Sequence, residues 1–432
     1  MNVKRLETSR LFHRFGFGPQ PGEYALALKD GVTATRARLT NVPLGQAAAL
    51  PVIEPEISDL GKRPKANSPE VVPFSIALRN QTKQIELWWL DMMVLSDHGL
   101  TERLVWFWHG HWATSIKKIN YALPMFKQNK VFRTHALGNF YDLSKAMLND
   151  GALQLWLDGQ DNTVKAPNEN LGRELLELFV LGVNRYSEDD VKAISRALTG
   201  YQVVRSNGLV TINQKRRDVM PISLLGKTAV FNGDTLIDFL VAREDCATFI
   251  AERFWYRFIS STEDMPSSFA AKKAFASRDI ATAVQAMAAD NSMQDSKFSM
   301  VKSPVEWFIS ACRALELTPS ALQTTNQLMN FLDKLGQVPF SPPNVGGWPA
   351  GQAWLSSATA QYRLAFATWL IKQSDLVALQ QIPREARVLE SADWLGVPEW
   401  SARTQSALRT AVDDPARFAL LALCSPEYIV SA

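Results

Sequence analysis

Three carboxylates and a guanidinium fall within the run Asn168-Glu169-Asn170-Leu171-Gly172-Arg173-Glu174-Leu175-Leu176-Glu177-Leu178, the densest polar cluster in the chain. On a helix turning about 100° per residue, Glu169, Arg173 and Glu177 stand one above the next, with Asn170 and Glu174 beside them. Leu171, Leu175, Leu178 and Phe179 fill the opposite face. If the polar arc faces a cleft, Glu169, Glu174 and Glu177 are candidates for acid and base, Arg173 can orient an anion, and Asn168 and Asn170 can contact a substrate. If it faces water, it is a surface laced with Glu–Arg pairs worth only a few tenths of a kcal/mol each.

The histidines offer less. His109 and His111 lie two positions apart on a helix and point roughly 200° away from each other, so they share a metal ion only if the helix breaks at Gly110. His111 is in register with Arg103, Phe107 and Ser115, where its imidazole can meet the carboxylates of the acidic run or simply sit satisfied in the core. Gly226-Lys227-Thr228 resembles the end of a phosphate loop, but the required first glycine falls at Pro221 and the following residues read as extended chain. Serine-hydrolase, zinc-ribbon and zincin motifs are absent, so the expectation is no metal and no cofactor. The 13 tryptophans suit either a stacking groove or core anchors. Trp108 and Trp348 are the ones taken as substrate contacts. Trp348 belongs to Phe340-Ser341-Pro342-Pro343-Asn344-Val345-Gly346-Gly347-Trp348-Pro349, stiff at its prolines and open to close backbone approach at its glycines, a loop able to wall a groove.

These residues need a helical frame. Helical patterns cover 22–39 with an interruption near Gly31, 74–96, 101–115, 124–137, 140–149 and 187–198, and most of the chain after Asp234. Asp97-His98-Gly99 ends one helix and Thr101 is placed to cap the next. Residues 43–76 read as a Pro-rich surface connection. β-Branched runs on either side of Ser206-Asn207-Gly208 predict a hairpin, within an insert spanning about 201–231. Lys302-Ser303-Pro304-Val305-Glu306 has the form of a capping box, which makes Glu306 structural. The expected fold is mainly α, a single multi-helix body over 1–432 with one small β-hairpin insert.

Composition narrows the partners. The 46 basic and 43 acidic residues are spread along the chain, giving a net charge of +3 and no footprint for nucleic acid. No uncharged apolar segment approaches the roughly 20 residues of a membrane span. Cys246, Cys312 and Cys424 are widely separated and read as buried free thiols of a reducing compartment. The opening Met1-Asn2-Val3-Lys4-Arg5-Leu6-Glu7 lacks the apolar run of a secretory leader, so a cytoplasmic location is expected.

Several of these motifs together resemble a bacterial family catalogued as domain of unknown function 1800 (DUF1800). They are Phe15-Gly16-Phe17-Gly18-Pro19, Thr101-Glu102-Arg103 leading to Phe107-Trp108-His109-Gly110-His111-Trp112, the run from Asn168 to Leu178, Ser195-Arg196-Ala197-Leu198-Thr199-Gly200-Tyr201, Lys302 to Glu306, and Pro342-Pro343-Asn344 through Gly347-Trp348. The resemblance runs nearly end to end and implies that Asn168, Glu169, Asn170, Arg173, Glu174, Glu177 and His111 occupy the family's polar motif positions. Where many members have His-Asp-x-Gly-x-Lys, this chain has Arg217-Asp218-Val219-Met220, which removes a histidine that a metal site could have used. The resemblance also implies a companion protein of sulfatase-like type, and relatives are often exported. Two functions follow as expectations. The first is a carboxylate-based hydrolase or lyase acting on a glycan-like polymer through the Glu/Arg arc; the second is a non-catalytic binding or maturation partner of the sulfatase-like companion.

Overall fold

The computed structural model describes residues 2–42, 52–97 and 99–431. Among them the chain forms 23 α-helices and three two-stranded antiparallel sheets, so the protein is mainly α with small hairpins. One hydrophobic cluster runs from Leu11 to Tyr428 and includes eleven of the thirteen tryptophans. Tryptophan here is therefore chiefly a core anchor, as its large apolar faces favour.

At the centre is α2, Gly99–His111, with residues buried on every face because other helices surround it. Its neighbour α1, Val71–Leu95, packs a tryptophan-rich face onto it. Both helices begin earlier than their sequence patterns suggest. Pro73, Phe74 and Ile76 belong to the first turns of α1, where proline costs nothing because those N–H groups have no helical acceptor. The Pro-rich connection thus ends by residue 70, and its 43–51 portion lies outside the described residues. Thr101 is inside α2 rather than at its cap, and α2 stops at His111, short of Ser115.

The acidic run is not one regular helix. Asn170–Glu174 is α-helical, and Leu175–Val180 continues as a π-helix in which the Leu181 N–H reaches the Leu176 carbonyl at 3.0 Å. The wider turn rotates the later residues, so Leu176 joins the core while Leu178 is only partly buried. A second π-helix, Trp255–Ile259, continues α3, Glu244–Phe254. Helix α4, Pro304–Leu315, starts with Pro304 in its first turn and with Glu306 accepting the Ser303 N–H at 2.9 Å. That is the expected capping role.

The insert holds two hairpins rather than one. In the first, Tyr201–Val204 pairs with Leu209–Ile212, with Tyr201 opposite Ile212 and the Asn207-Gly208 turn at its tip. In the second, Ile222–Leu224 pairs with Lys227–Ala229 around Leu225-Gly226, both at positive φ as a type I′ turn requires. Gly226-Lys227-Thr228 is thus a turn and a strand, with no helix for a phosphate to cap. The third sheet joins Met300–Val301 to Val430–Ser431.

Candidate functional site

Three distant motifs meet at one place. Gly347 lies at φ +79°, and a Cβ built on it would stand 2.2 Å from the Gly110 carbonyl oxygen, so only glycine lets this loop seat on α2. Seated there, Trp348 stacks on Trp106 with ring centroids 4.8 Å apart and planes 19° from parallel. Arg103, one turn earlier on α2, pairs with Glu306 of α4 in a buried contact and donates through Nε to the Arg14 carbonyl at 3.1 Å. The Thr-Glu-Arg, Lys-Ser-Pro-Val-Glu and Pro-Pro-Asn loop segments thereby wall a small cavity of about 40 Å³, with Arg257 of the second π-helix as a further wall.

Arg257 also faces a groove of about 370 Å³, lined with Arg253, Tyr256, Asn344, Gly347 and Trp348. Its guanidinium donates to the Trp348 carbonyl at 2.5 Å and the Pro349 carbonyl at 3.2 Å. Arg14 holds the same π-helix from its far end, donating to the Phe258 and Ile259 carbonyls at 3.3 and 3.1 Å. Arg253 and Arg257 flank the Tyr256 ring at 5.7 and 5.2 Å. Neither arginine forms an ion pair among the described residues. Burial, then the neighbouring Arg253, pushes Arg257 down to about 10, which leaves it charged at neutral pH. Burial likewise lowers Arg253, whose Nε is enclosed without a partner. Glu306, already paired with Arg103, offsets Arg257 only in part, and no carboxylate among the described residues pairs with Arg253, so the groove wall carries net positive charge, the electrostatics of an anion site.

The acidic run lies outside this groove. Arg173 is spent in a bidentate contact with Glu188, 2.8 Å to each oxygen, and a longer one of 3.2 Å to Glu169. Asn168 accepts the Asn170 N–H at 2.9 Å, and the Asn170 side chain donates to the Leu157 carbonyl at 3.2 Å, so both asparagines fasten the helix start. Glu177 accepts the Tyr186 hydroxyl. Glu174 is half-buried and makes no hydrogen bond among the described residues; burial and then the adjacent Glu177 raise its pKa. His111 meets the backbone of this segment rather than its carboxylates. Its Nε2 donates to the Phe179 carbonyl at 2.9 Å, and burial followed by Arg253 lowers it to about 3, so it stays neutral. His109 points elsewhere, into a ring of Trp89, Trp348 and Phe340. No three His, Cys, Asp or Glu side chains gather at metal-ligand spacing among the described residues. Trp108 is fully enclosed, its indole donating to the Ala136 carbonyl at 3.2 Å, whereas Trp348 lines the groove.

Nearly the whole chain matches a known family model. A model described as a protein of unknown function (DUF1800) covers residues 10–430. The chain belongs to that family. No curated protein and no solved structure matches it. Within this DUF1800 chain, Asp218 accepts from Arg196 Nε at 2.7 Å and its N–H donates to Thr199 Oγ1 at 2.7 Å, while Arg217, which stands where the histidine would be, donates to the Phe231 carbonyl at 3.4 Å. Arg253, Tyr256 and Arg257 were missed at the sequence level, although two arginines four apart around an aromatic core are a visible signal of a helix edge that carries charge into a wall.

Proposed function

We propose that this DUF1800 chain binds an acidic ligand in the groove between the second π-helix and the loop carrying Trp348. The observation that carries the reading is the pair Arg253 and Arg257, which line one concavity with no carboxylate at ion-pair distance from either among the described residues. Two planar guanidinium groups suit sulfate or carboxylate substituents, and the aromatic surface of Tyr256 and Trp348 in the same lining suits a sugar. A charged glycan segment combines both features. A sulfatase-like companion acts on the same chemical class, and on this reading the chain is its non-catalytic binding partner.

Titration with a sulfated oligosaccharide and with a neutral one of equal length tests the proposal. The sulfated ligand should bind more tightly, and Arg253→Met should weaken it about 10- to 100-fold, the loss of about 1.5–3 kcal/mol typical of a charge-assisted hydrogen bond. Arg253 donates no hydrogen bond to the protein, so the melting temperature of the variant should hold. Equal binding of both ligands, or wild-type affinity in Arg253→Met, removes the reading.

A second reading keeps catalysis on the acidic helix. Glu174 lacks a hydrogen bond among the described residues and its pKa is raised, while Glu177 beside it accepts a hydrogen bond from the Tyr186 hydroxyl. A carboxyl with a raised pKa next to an oriented carboxyl is the arrangement that general acid catalysis of a hydrolase or lyase on a glycan-like polymer uses. Glu174→Gln should then abolish polymer cleavage at unchanged melting temperature. Cleavage at the wild-type rate in that variant excludes Glu174 as the acid.

A further inference from the structure

A second groove, of about 420 Å³, runs along one face of α1 opposite the Thr325–Lys334 helix. Glu86 lines it while only 8% exposed, and its carboxyl makes no hydrogen bond or ion pair among the described residues. The polar groups around it are already committed. Thr82 donates its hydroxyl to the Leu78 carbonyl at 2.9 Å, Ser75 to the Val71 carbonyl at 2.8 Å, and Lys83 its ammonium to Asn326 Oδ1 at 2.7 Å. Two side chains remain unspent: the Glu86 carboxyl and, two turns back on the same face, the exposed Arg79 guanidinium. Leu78, Ile116 and Met329 supply the apolar part of the wall.

A buried carboxyl with no donor is costly, because its lost hydration is not replaced. Here it faces a cavity that a donor can enter. The position also restricts what the donor is. One carboxylate is too few ligands for a calcium or magnesium ion, which takes six or more oxygens. A phosphate or a nucleic acid would find only the Arg79 guanidinium uncommitted among the described lining residues, because Asn326 holds the Lys83 ammonium. Arg79 and Glu86 are about 10 Å apart along the helix axis at the 1.5 Å rise per residue. Two residues of extended chain span about 7 Å, and the arginine side chain covers the difference.

We propose that this groove binds a small zwitterion of dipeptide size, its ammonium on Glu86, its carboxylate on Arg79 and its apolar side chains against Leu78, Ile116 and Met329. The proton balance gives a separate signature. Burial pushes the Glu86 carboxyl up to about 8, so it is protonated at neutral pH in the empty groove. When the ammonium arrives, the carboxyl gives its proton to solvent and the ion pair replaces the O–H bond.

Calorimetric titration of the full chain at neutral pH with leucyl-leucine, N-acetyl-leucyl-leucine and leucyl-leucinamide tests each contact. Leucyl-leucine should bind, and loss of the amine or of the carboxylate should each weaken it at least about tenfold. Titrations in two buffers of different ionisation enthalpy should show proton release. Glu86→Gln should lose both the affinity and the proton release while melting no lower than wild type, since a neutral amide replaces a carboxyl with no partner. The acetylated ligand tests the same contact on the unaltered chain, should that variant fail to fold. No heat from leucyl-leucine at about 10 mM, equal binding of the acetylated or amidated ligand, or wild-type binding by Glu86→Gln overturns the proposal.

Discussion

Buried arginines in this protein mostly hold backbone carbonyls, the groups that helix ends leave unpaired. Arg278 donates to the carbonyls of Val241, Ala242 and Arg243, at the end of the Gly233–Ala242 helix. Arg313 does the same for Val94 near the end of α1. Arg257 follows that pattern at the Trp348 and Pro349 carbonyls, and Arg253 stands out because it donates no hydrogen bond among the described residues. Glu86 is the acidic counterpart, and its proton has a measurable consequence. Its carboxyl is raised from 4.5 to about 8 by burial. Between those values the folded chain keeps a proton that the unfolded chain has released, so stability falls as pH rises through the window, by up to about 1.4 kcal/mol per pH unit. The advantage of Glu86→Gln over wild type in denaturant unfolding should therefore grow from pH 5 to pH 8 and stay constant below about pH 4. A difference independent of pH would mean that Glu86 is ionised in the fold. The sequence could assign Glu306 its capping role because that role is local, three residues from Ser303. Glu86 and Arg253 carry no local mark, since the grooves they line are closed by distant segments, the helix bearing Asn326 and Met329 for one and the loop at 343–349 for the other.

At the scale of elements, the two π-helices decide where side chains point. A regular helix through Leu178 would have kept a single acidic arc and a single leucine seam; the wide turn after Glu174 breaks both. Periodicity reads residue spacing and assumes a constant turn, so it found the helix and mistook its later face. The first hairpin was legible from Asn207-Gly208, whereas the second and third sheets have strands of two or three residues, too short to show alternation. The loop at 340–349 was legible as a stiff wall, and the contact that seats it can be tested. Gly347→Ala forces a Cβ into the Gly110 carbonyl at an unfavourable φ, which should cost about 1–3 kcal/mol in denaturant unfolding and weaken acidic ligands together with it. Unchanged stability would show that the loop has another seat. By contrast, Gly346→Ala meets only the Asn344 side chain at 3.2 Å and should be milder.

Across the whole molecule, the helical class followed from composition and periodicity, because one core of aromatic and aliphatic side chains needs only amphipathic helices to surround it. The position of the groove did not follow, because no window of sequence contains it. Its walls come from α2, from the π-helix after α3, and from the loop at 340–349. The same π-helix is held by Arg14, whose guanidinium also reaches the Ser431 carbonyl at 3.4 Å, on the strand that pairs with Met300 and Val301. This one side chain therefore joins the order of synthesis to the order of assembly. While a ribosome is still adding residue 340, Arg103 and Arg257 exist but the wall bearing Trp348 does not. The clamp from Arg14 lacks its last acceptor until Ser431 has emerged. The basic groove is thus complete only once the loop at 340–349 and Ser431 have both emerged, and the charges that line it are uncovered until then.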